Sequence, residues 1–198
     1  TPDQLGFPSN GYHLPPLNID PIFVDVDHAS YAQATGRLFV TGMAGVEGRL
    51  VARRMTMEER VKRAAEIIGA SDEQWVVWCG LNDEGRQLHR ALDDSVLVEG
   101  ADSLEDKIRD IGRFFDQSKR VLITKVRIGG FGLNLQHCHN MMFLGISDSY
   151  EQYYQAIRRC WRFGQESPVN VTILTSDIER VVLENVQNKE REHQITVT

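Results

Sequence analysis

The sequence predicts an α/β fold in which helices cover both faces of a mainly parallel sheet. Five short runs are apolar at nearly every position, as in strands buried on both faces, and helical stretches separate them. The runs are Trp75–Cys79, Val96–Val98, Val121–Thr124, Met141–Leu144 and Val169–Leu174. Parallel strands end at one edge of a sheet, where sites usually form. We therefore expect Asn82, Thr124–Gly132, Gly145–Ser149 and Thr175 to lie near one another.

The first 55 residues predict a connector with an accessory element. Five of the six prolines lie between Pro2 and Pro21, and one alternating run, Ile22–Asp27, predicts a single strand. We therefore divide the chain into a connector over residues 1–55 and an α/β domain over residues 56–198. Because the chain begins at Thr1 without Met, we also expect it to be a piece of a longer protein.

Helical periodicity begins at Met57–Ile68, where Val61, Ala64 and Ile68 share one face and Gly69 is a plausible stop. Further helices follow the apolar runs. They are predicted over about Asp83–Leu92, Ser103–Gln117, a short stretch near Gly132–Gln136, Ser149–Arg162 and Asp177–Lys189.

The composition is ordinary for a soluble globular protein. The 198 residues are 41% hydrophobic and 25% charged, which excludes a disordered chain, a collagen and a disulfide scaffold. No run approaches the roughly 20 apolar residues that a membrane span needs. The three cysteines are few and widely spaced, as in proteins of a reducing compartment. We therefore expect a cytoplasmic protein.

The charge is unevenly distributed along the chain. The net charge of −6 by itself disfavours a protein that coats nucleic acid. Residues 119–165, however, hold seven Lys or Arg and two acidic residues, a net charge of +5, which leaves −11 for the rest. A basic segment of this kind suits contacts with phosphates.

The chain has no G-x-x-x-x-G-K-[ST] segment, so it lacks a phosphate-binding P-loop of its own. Asp83-Glu84 follows a strand, but acidic residues in the first turn of a helix are ordinary partners of its dipole, and we interpret the pair as a helix start. Gly129–Gly132 is not a dinucleotide fingerprint, because Leu135 occupies the place of its third glycine. It is either a flexible turn or a loop whose backbone approaches a phosphate closely.

His137-Cys138-His139 superficially suggests a metal site. Adjacent residues seldom converge on one ion, and no second pair of Cys or His has zinc-like spacing. We interpret the three residues as a buried cysteine flanked by histidines with ordinary partners.

Gln155, Arg159 and Arg162 recur on one face of a helix at i, i+4 and i+7. Arginines near a helix end can simply offset its dipole. A guanidinium fork also suits phosphate recognition, and arginines commonly stabilise charge during phosphoryl transfer. We expect Arg159 and Arg162 to lie at the carboxyl edge of the sheet.

Three segments together resemble motifs IV, V and VI of the second RecA-like domain of superfamily-two helicases. They are Trp75–Leu81 (WVVWCGL), Val121–Leu135 (VLITKVRIGGFGLNL) and Gln155–Gln165 (QAIRRCWRFGQ), the last being similar to Q-x-x-x-R-x-x-R-x-G-Q. The resemblance covers about residues 60–180 and is nearest to the Swi/Snf-like branch, within it to phage or prophage DEAD/DEAH helicases. Val126–Ile128 lengthens motif V relative to that branch, and Arg158 and Cys160-Trp161 depart from its motif VI.

The resemblance implies a three-layer RecA-like fold and one half of a motor that binds ATP and Mg²⁺ between two lobes. An N-terminal lobe of the same protein would supply the P-loop and an acidic pair. Arg162 and Arg159 would be catalytic at the γ-phosphate, and Gln155 would position their helix or the attacking water. Gly130, Gly132 and Asn134 would face the nucleotide, and Thr124, Lys125 and Asn82 would contact DNA, double-stranded or forked.

The resemblance thus implies an ATP-dependent DNA helicase or translocase, of which this chain alone hydrolyses no ATP. Two alternatives stay open at this point. One is a non-catalytic RecA-like adaptor, and the other is the motor lobe of a restriction-modification enzyme. A stand-alone nucleotide-binding enzyme is disfavoured, because the chain has neither a P-loop nor a dinucleotide fingerprint.

Overall fold

Six parallel strands form one sheet in the order β1-β6-β5-β2-β4-β3. The computed structural model describes residues 14–36, 46–146, 149–180, 183–185 and 188. The elements are β1 (Leu17–Val24), α1 (His28–Thr35), α2 (Val46–Met55), α3 (Met57–Gly69), β2 (Trp75–Cys79), α4 (Asn82–Ala91), β3 (Ser95–Val98), α5 (Leu104–Phe115), β4 (Val121–Thr124), a 3-10 helix (Val126–Phe131), β5 (Asn140–Leu144), α6 (Tyr150–Cys160), β6 (Val169–Ser176) and a 3-10 helix (Asp177–Glu179). The predicted α/β fold class is confirmed.

All five predicted apolar runs form strands. Every residue of β2, β4 and β5 is buried, because helices cover both faces of the sheet. Alternate residues of β2 belong to two cores: Trp78 packs in the core shared with α5 and α6, whereas Val77 packs in the core shared with α3 and α4. The sheet therefore lies between two helical layers.

The N-terminal segment contributes a strand to this sheet. The sequence predicted one accessory strand over Ile22–Asp27, but β1 begins at Leu17 and pairs with all eight residues of β6. Pro21 is tolerated within β1 because β1 is an edge strand. The prediction of this strand's bounds was wrong by several residues, and the domain boundary at residue 55 stays a prediction.

Helices α1 and α2 were not predicted. The hydrophobic pattern of α1 does not predict a helix, because only Tyr31 of its eight residues is buried. Its start is fixed instead by Asp27, whose Oδ1 accepts a hydrogen bond from the Ala29 N–H at 3.1 Å.

The helix predicted near Gly132–Gln136 is wrong, since the helical turn lies earlier, over Val126–Phe131. The Ile128 N–H donates to the Lys125 carbonyl at 3.0 Å, and Val126 and Ile128 pack against the core. Val126–Ile128, the residues that lengthen motif V, therefore form part of one tight helical turn. Of the predicted helix Asp177–Lys189, the first three residues form the last 3-10 helix, and the described residues that follow, 180, 183–185 and 188, are α-helical as predicted.

Within the described ranges, no helix has the length and apolar character needed to cross a bilayer.

Candidate functional site

The carboxyl ends of β2, β4 and β5 border a cavity of about 330 Å³, which we call the carboxyl-edge cavity. Gly80 follows β2, Lys125 follows β4 and Gly145 follows β5, and all three line it. The expectation that these strand ends meet is confirmed for these residues. Ser147 and Asp148, part of the predicted range Gly145–Ser149, lie outside the described residues.

Asn82, Thr124 and Lys125, the three predicted nucleic-acid contacts, lie together in a shallow depression next to this cavity. Asn82 is the exposed first residue of α4, and Lys125 is half-buried. The Thr124 side chain is only 3% exposed, and its hydroxyl donates to the Val98 carbonyl at 3.0 Å. The hydroxyl proton of Thr124 is therefore used within the sheet, and a contact between Thr124 and nucleic acid stays a prediction.

The loop between β2 and α4 is held from inside the protein. Glu84 accepts hydrogen bonds from the N–H groups of Gly80 and Leu81 at 3.0 and 2.8 Å, and it forms an ion pair with Arg60 at 2.7 Å. Both side chains of that pair are fully buried. The interpretation of Asp83-Glu84 as a helix start is confirmed, and the Arg60 partner was not predicted.

Arg53 also reaches the carboxyl-edge cavity, although sequence reasoning did not select it. Its guanidinium donates through Nε and Nη2 to Oε1 of Glu179, at 3.1 and 2.5 Å, and through Nη2 to the Ile146 carbonyl. Gly80 and Gly145 leave room for it, because an added Cβ at either would lie 2.9 Å from an Arg53 nitrogen. The sequence signal was two glycines directly after buried strands.

The motif V segment crosses from this edge of the sheet toward the opposite one. It leaves β4 at Lys125 and, through the 3-10 helix that contains Gly130, leads to Gly132, which has φ +62°. Farther along, the exposed Asn134 accepts a hydrogen bond from the Gln136 N–H, and the Leu135 N–H donates to the Arg159 carbonyl at 3.0 Å. Motif V therefore makes a backbone contact with motif VI.

Helix α6 carries Arg159 to the amino edge of the sheet. It begins just after β5, with Ser149 as its N-cap, and runs back past the strands. At its far end the Trp161 indole N–H donates to the Pro15 carbonyl at 2.8 Å, just before β1. The expectation that Arg159 and Arg162 lie at the carboxyl edge was therefore wrong.

The three predicted catalytic residues consequently lie away from the carboxyl-edge cavity. Gln155 is exposed midway along α6 and donates to Glu151 at 3.0 Å. Arg159 and Arg162 are half-buried at the end of the helix. In the part of the chain that the structure describes, the Arg162 guanidinium makes no ion pair or hydrogen bond.

The amino edge at the end of α6 presents groups that can bind an anion. A half-buried guanidinium without a carboxylate is a favourable partner for a phosphate group. Gly132 adds a backbone in the left-handed region with open space where a side chain would stand. The role of Arg162, Arg159, Gly130, Gly132 and Asn134 toward a nucleotide stays a prediction.

The His137–His139 segment has structural partners. The His137 ring lies 4.8 Å from the Phe115 ring, and partial burial lowers the pKa of His137. Cys138 is buried, and Nε2 of His139 lies 3.2 Å from the carboxylate of Glu73. The interpretation as a buried cysteine between partnered histidines is confirmed. Among the described residues, no group of three or more His, Cys, Asp or Glu is placed to hold a metal ion.

Residues 54–164 match the family described as the helicase conserved C-terminal domain. The match covers more than half of the chain. This chain belongs to the helicase C-terminal domain family. The matched range runs from the end of α2 through α6 and includes both arginines of motif VI.

A curated relative of this helicase domain is the ATP-dependent DNA helicase DDM1 of Arabidopsis thaliana. The two are 30% identical over 96 residues, which are 46% of this chain and 13% of that protein. The helicase domain therefore spans a small part of the length of the relative it matches.

Solved structures share the fold of this helicase domain. The C-terminal part of the Fun30 ATPase domain has a TM-score of 0.61 at 13% identity, with 87% of this chain and 89% of that chain covered. The C-terminal domain of the DEAD-box protein Dbp5 has a TM-score of 0.59 at 13% identity, with 89% and 84% covered. The expected RecA-like fold is confirmed.

Gln165 is the last residue of the segment that resembles motif VI, and it joins the end of that segment to the residues before β5. Its side-chain amide donates to the carbonyls of Gln136 and Cys138 at 2.8 and 3.1 Å, and it is only 8% exposed. Gln165→Ala is expected to lower the free energy of unfolding by about 1–3 kcal/mol, because buried carbonyls lose their donor. Urea unfolding of the purified chain measures this loss.

The matched control is Gln155→Ala, which removes an exposed amide that pairs with Glu151 four residues earlier. Such a pair contributes only about 0.2–0.5 kcal/mol. Equal losses in the two variants would show that Gln165 does not fasten motif VI to the segment before β5.

Proposed function

We propose that this chain is the C-terminal RecA-like lobe of an ATP-dependent DNA helicase or translocase of the Swi/Snf-like branch. Membership of the helicase C-terminal family supports a motor. The likeness to a protein named as a DNA helicase supports DNA as the nucleic acid. The motif resemblance to phage and prophage helicases supports a motor that works in the cytoplasm of a bacterial or phage-infected cell.

In this proposal the residues at the amino edge of the sheet bind the nucleotide. When bound, ATP with Mg²⁺ supplies the phosphoryl group, and the N-terminal lobe holds most of it. Arg162, together with Arg159, offers positive charge to the γ-phosphate, where negative charge develops during transfer. Gln155 positions α6 or a water, and the backbone of Gly130 and Gly132 with Asn134 faces the nucleotide.

The residues at the carboxyl edge of the sheet bind the nucleic acid. Lys125 and the exposed Asn82 contact backbone phosphates, and such contacts position a strand without reading its sequence. Thr124 acts through its hydrogen bond to Val98, which fixes the strand end from which Lys125 projects.

The observation that carries the proposal is that one continuous segment joins the two ends. The motif V segment leaves β4 at Lys125, beside the carboxyl-edge cavity, and at Leu135 it is hydrogen-bonded to Arg159 of motif VI. A motor must couple a nucleotide site to a nucleic-acid site through some physical element with two arrangements. This segment and its hydrogen bond to Arg159 connect the two groups of residues directly.

The test is ATP hydrolysis by the full-length protein, with and without duplex DNA. We expect hydrolysis that rises severalfold on addition of DNA, and no hydrolysis by residues 1–198 alone, because half of the nucleotide site lies in the other lobe. A full-length protein that neither contains a P-loop nor hydrolyses ATP would instead be an adaptor.

A further inference from the structure

We propose that Arg53 is an additional nucleic-acid-binding residue. With Lys125 and Arg127 it would hold a backbone phosphodiester in the carboxyl-edge cavity. This inference rests on the proposed function and extends it to a residue outside motifs IV, V and VI.

The fold builds a slot for the Arg53 side chain. Gly145 has φ +81°, and a Cβ there would lie 2.9 Å from Arg53 Nε. A Cβ at Gly80 would lie 2.9 Å from Arg53 Nη1. Two strand ends therefore lack side chains at the places where the guanidinium passes between them.

Glu179 fixes the orientation of that guanidinium. Its Oε1 accepts both bonds from Arg53, while its Oε2 accepts from the hydroxyls of Thr175 and Ser176 at 3.1 and 2.9 Å. The carboxylate is fully buried, so its own position is set by the core. A guanidinium held in this way is preorganised, and less entropy is lost when it binds a further group.

One face of the guanidinium stays available. Arg53 uses Nε and Nη2 for Glu179 and Ile146, and within the described residues Nη1 has no hydrogen-bond acceptor. The Arg53 side chain is 15% exposed and lines the cavity. A purely structural arginine would need only the two nitrogens already used.

The cavity that Arg53 lines is suited to an anion. Lys125 and Arg127 line it and add two positive charges, since Glu179 offsets the charge of Arg53. At about 330 Å³ the cavity is large enough for a phosphodiester group.

The experiment measures binding of a labelled duplex oligonucleotide to the full-length protein over a range of salt concentrations. A lost phosphate contact lowers the slope of log affinity against log salt by about one. We expect Arg53→Gln to weaken binding by about tenfold and to lower that slope by about one. Arg54→Gln is the matched control, because Arg54 is an exposed neighbour at the end of the same helix.

A second variant separates binding from folding. Arg53→Gln alone leaves the buried Glu179 unpaired, so we also combine it with Glu179→Gln, which removes that charge. The double variant is expected to show the same lower slope with cooperative unfolding. An unchanged slope in a folded variant overturns the role of Arg53 while leaving the proposed function in place.

Two further outcomes overturn the inference in other ways. If the wild-type protein neither binds DNA nor hydrolyses ATP, both the proposed function and the inference about Arg53 are wrong. If inorganic phosphate stabilises the wild type but not the Arg53 variants, and the DNA salt slope is the same in both, the cavity binds free phosphate instead.

Discussion

Arg162→Ala in the full-length protein is expected to lower kcat for DNA-stimulated ATP hydrolysis by roughly 10³–10⁵-fold, the range found for arginines that stabilise phosphoryl transfer. Arg162 is half-buried at the end of motif VI and has no carboxylate partner among the described residues. An interaction made mainly in the transition state lowers kcat more than it changes KM. Steady-state kinetics at saturating DNA measure both constants.

Arg158→Gln is the control for charge at this end of α6. Arg158 lies over the Trp161 ring at 5.5 Å, an interaction that contributes only about 0.5–1 kcal/mol at an exposed site. We expect its kcat to stay within a few-fold of the wild type. Near-wild-type turnover in a folded Arg162→Ala protein would remove Arg162 from the nucleotide site.

The sheet could be predicted from sequence because its strands are buried on both faces. Trp75–Cys79 and Val121–Thr124 were predicted with their observed bounds, since continuous apolar runs need no partner to be recognised. The N-terminal strand was harder to place. β1 is half-buried at the sheet edge and contains Pro21, so its pattern is weak.

The residue types of the candidate site were predicted, whereas one part of its placement was not. A helix that joins two parallel strands must return to the amino edge before the next strand begins. The end of α6, with Arg159 and Arg162, therefore lies away from Lys125. Once β5 and β6 are predicted to be parallel, the topology requires the end of α6 to lie at the amino edge.

Charged residues buried by long-range contacts could not be predicted. Arg53 and Arg60 lie in helices whose charged positions ordinarily face solvent. Their partners, Glu179 and Glu84, are 126 and 24 residues away along the chain. Only the fold brings these charges together.

Glu84→Ala is expected to lower the free energy of unfolding by about 3–5 kcal/mol, the cost of leaving a buried charge without its partner. Arg60 is fully buried and pairs with Glu84 at 2.7 Å, and its other bonds, to Thr56 and the Arg53 carbonyl, cannot neutralise it. The N–H groups of Gly80 and Leu81 would lose their acceptor as well. Urea unfolding of the 198-residue chain measures the loss.

Two comparisons separate the buried charge from other effects of the substitution. Glu66→Ala breaks the Arg63–Glu66 pair, whose side chains are about half exposed, and such surface pairs contribute about 0–1 kcal/mol. Arg60→Met combined with Glu84→Gln removes both charges but keeps an acceptor for the loop. Its free energy of unfolding should therefore fall less than that of Glu84→Ala. If the free energy of unfolding falls as much in the double variant as in Glu84→Ala, the ion pair itself stabilises the fold. The loss in Glu84→Ala then does not come from an unpaired Arg60.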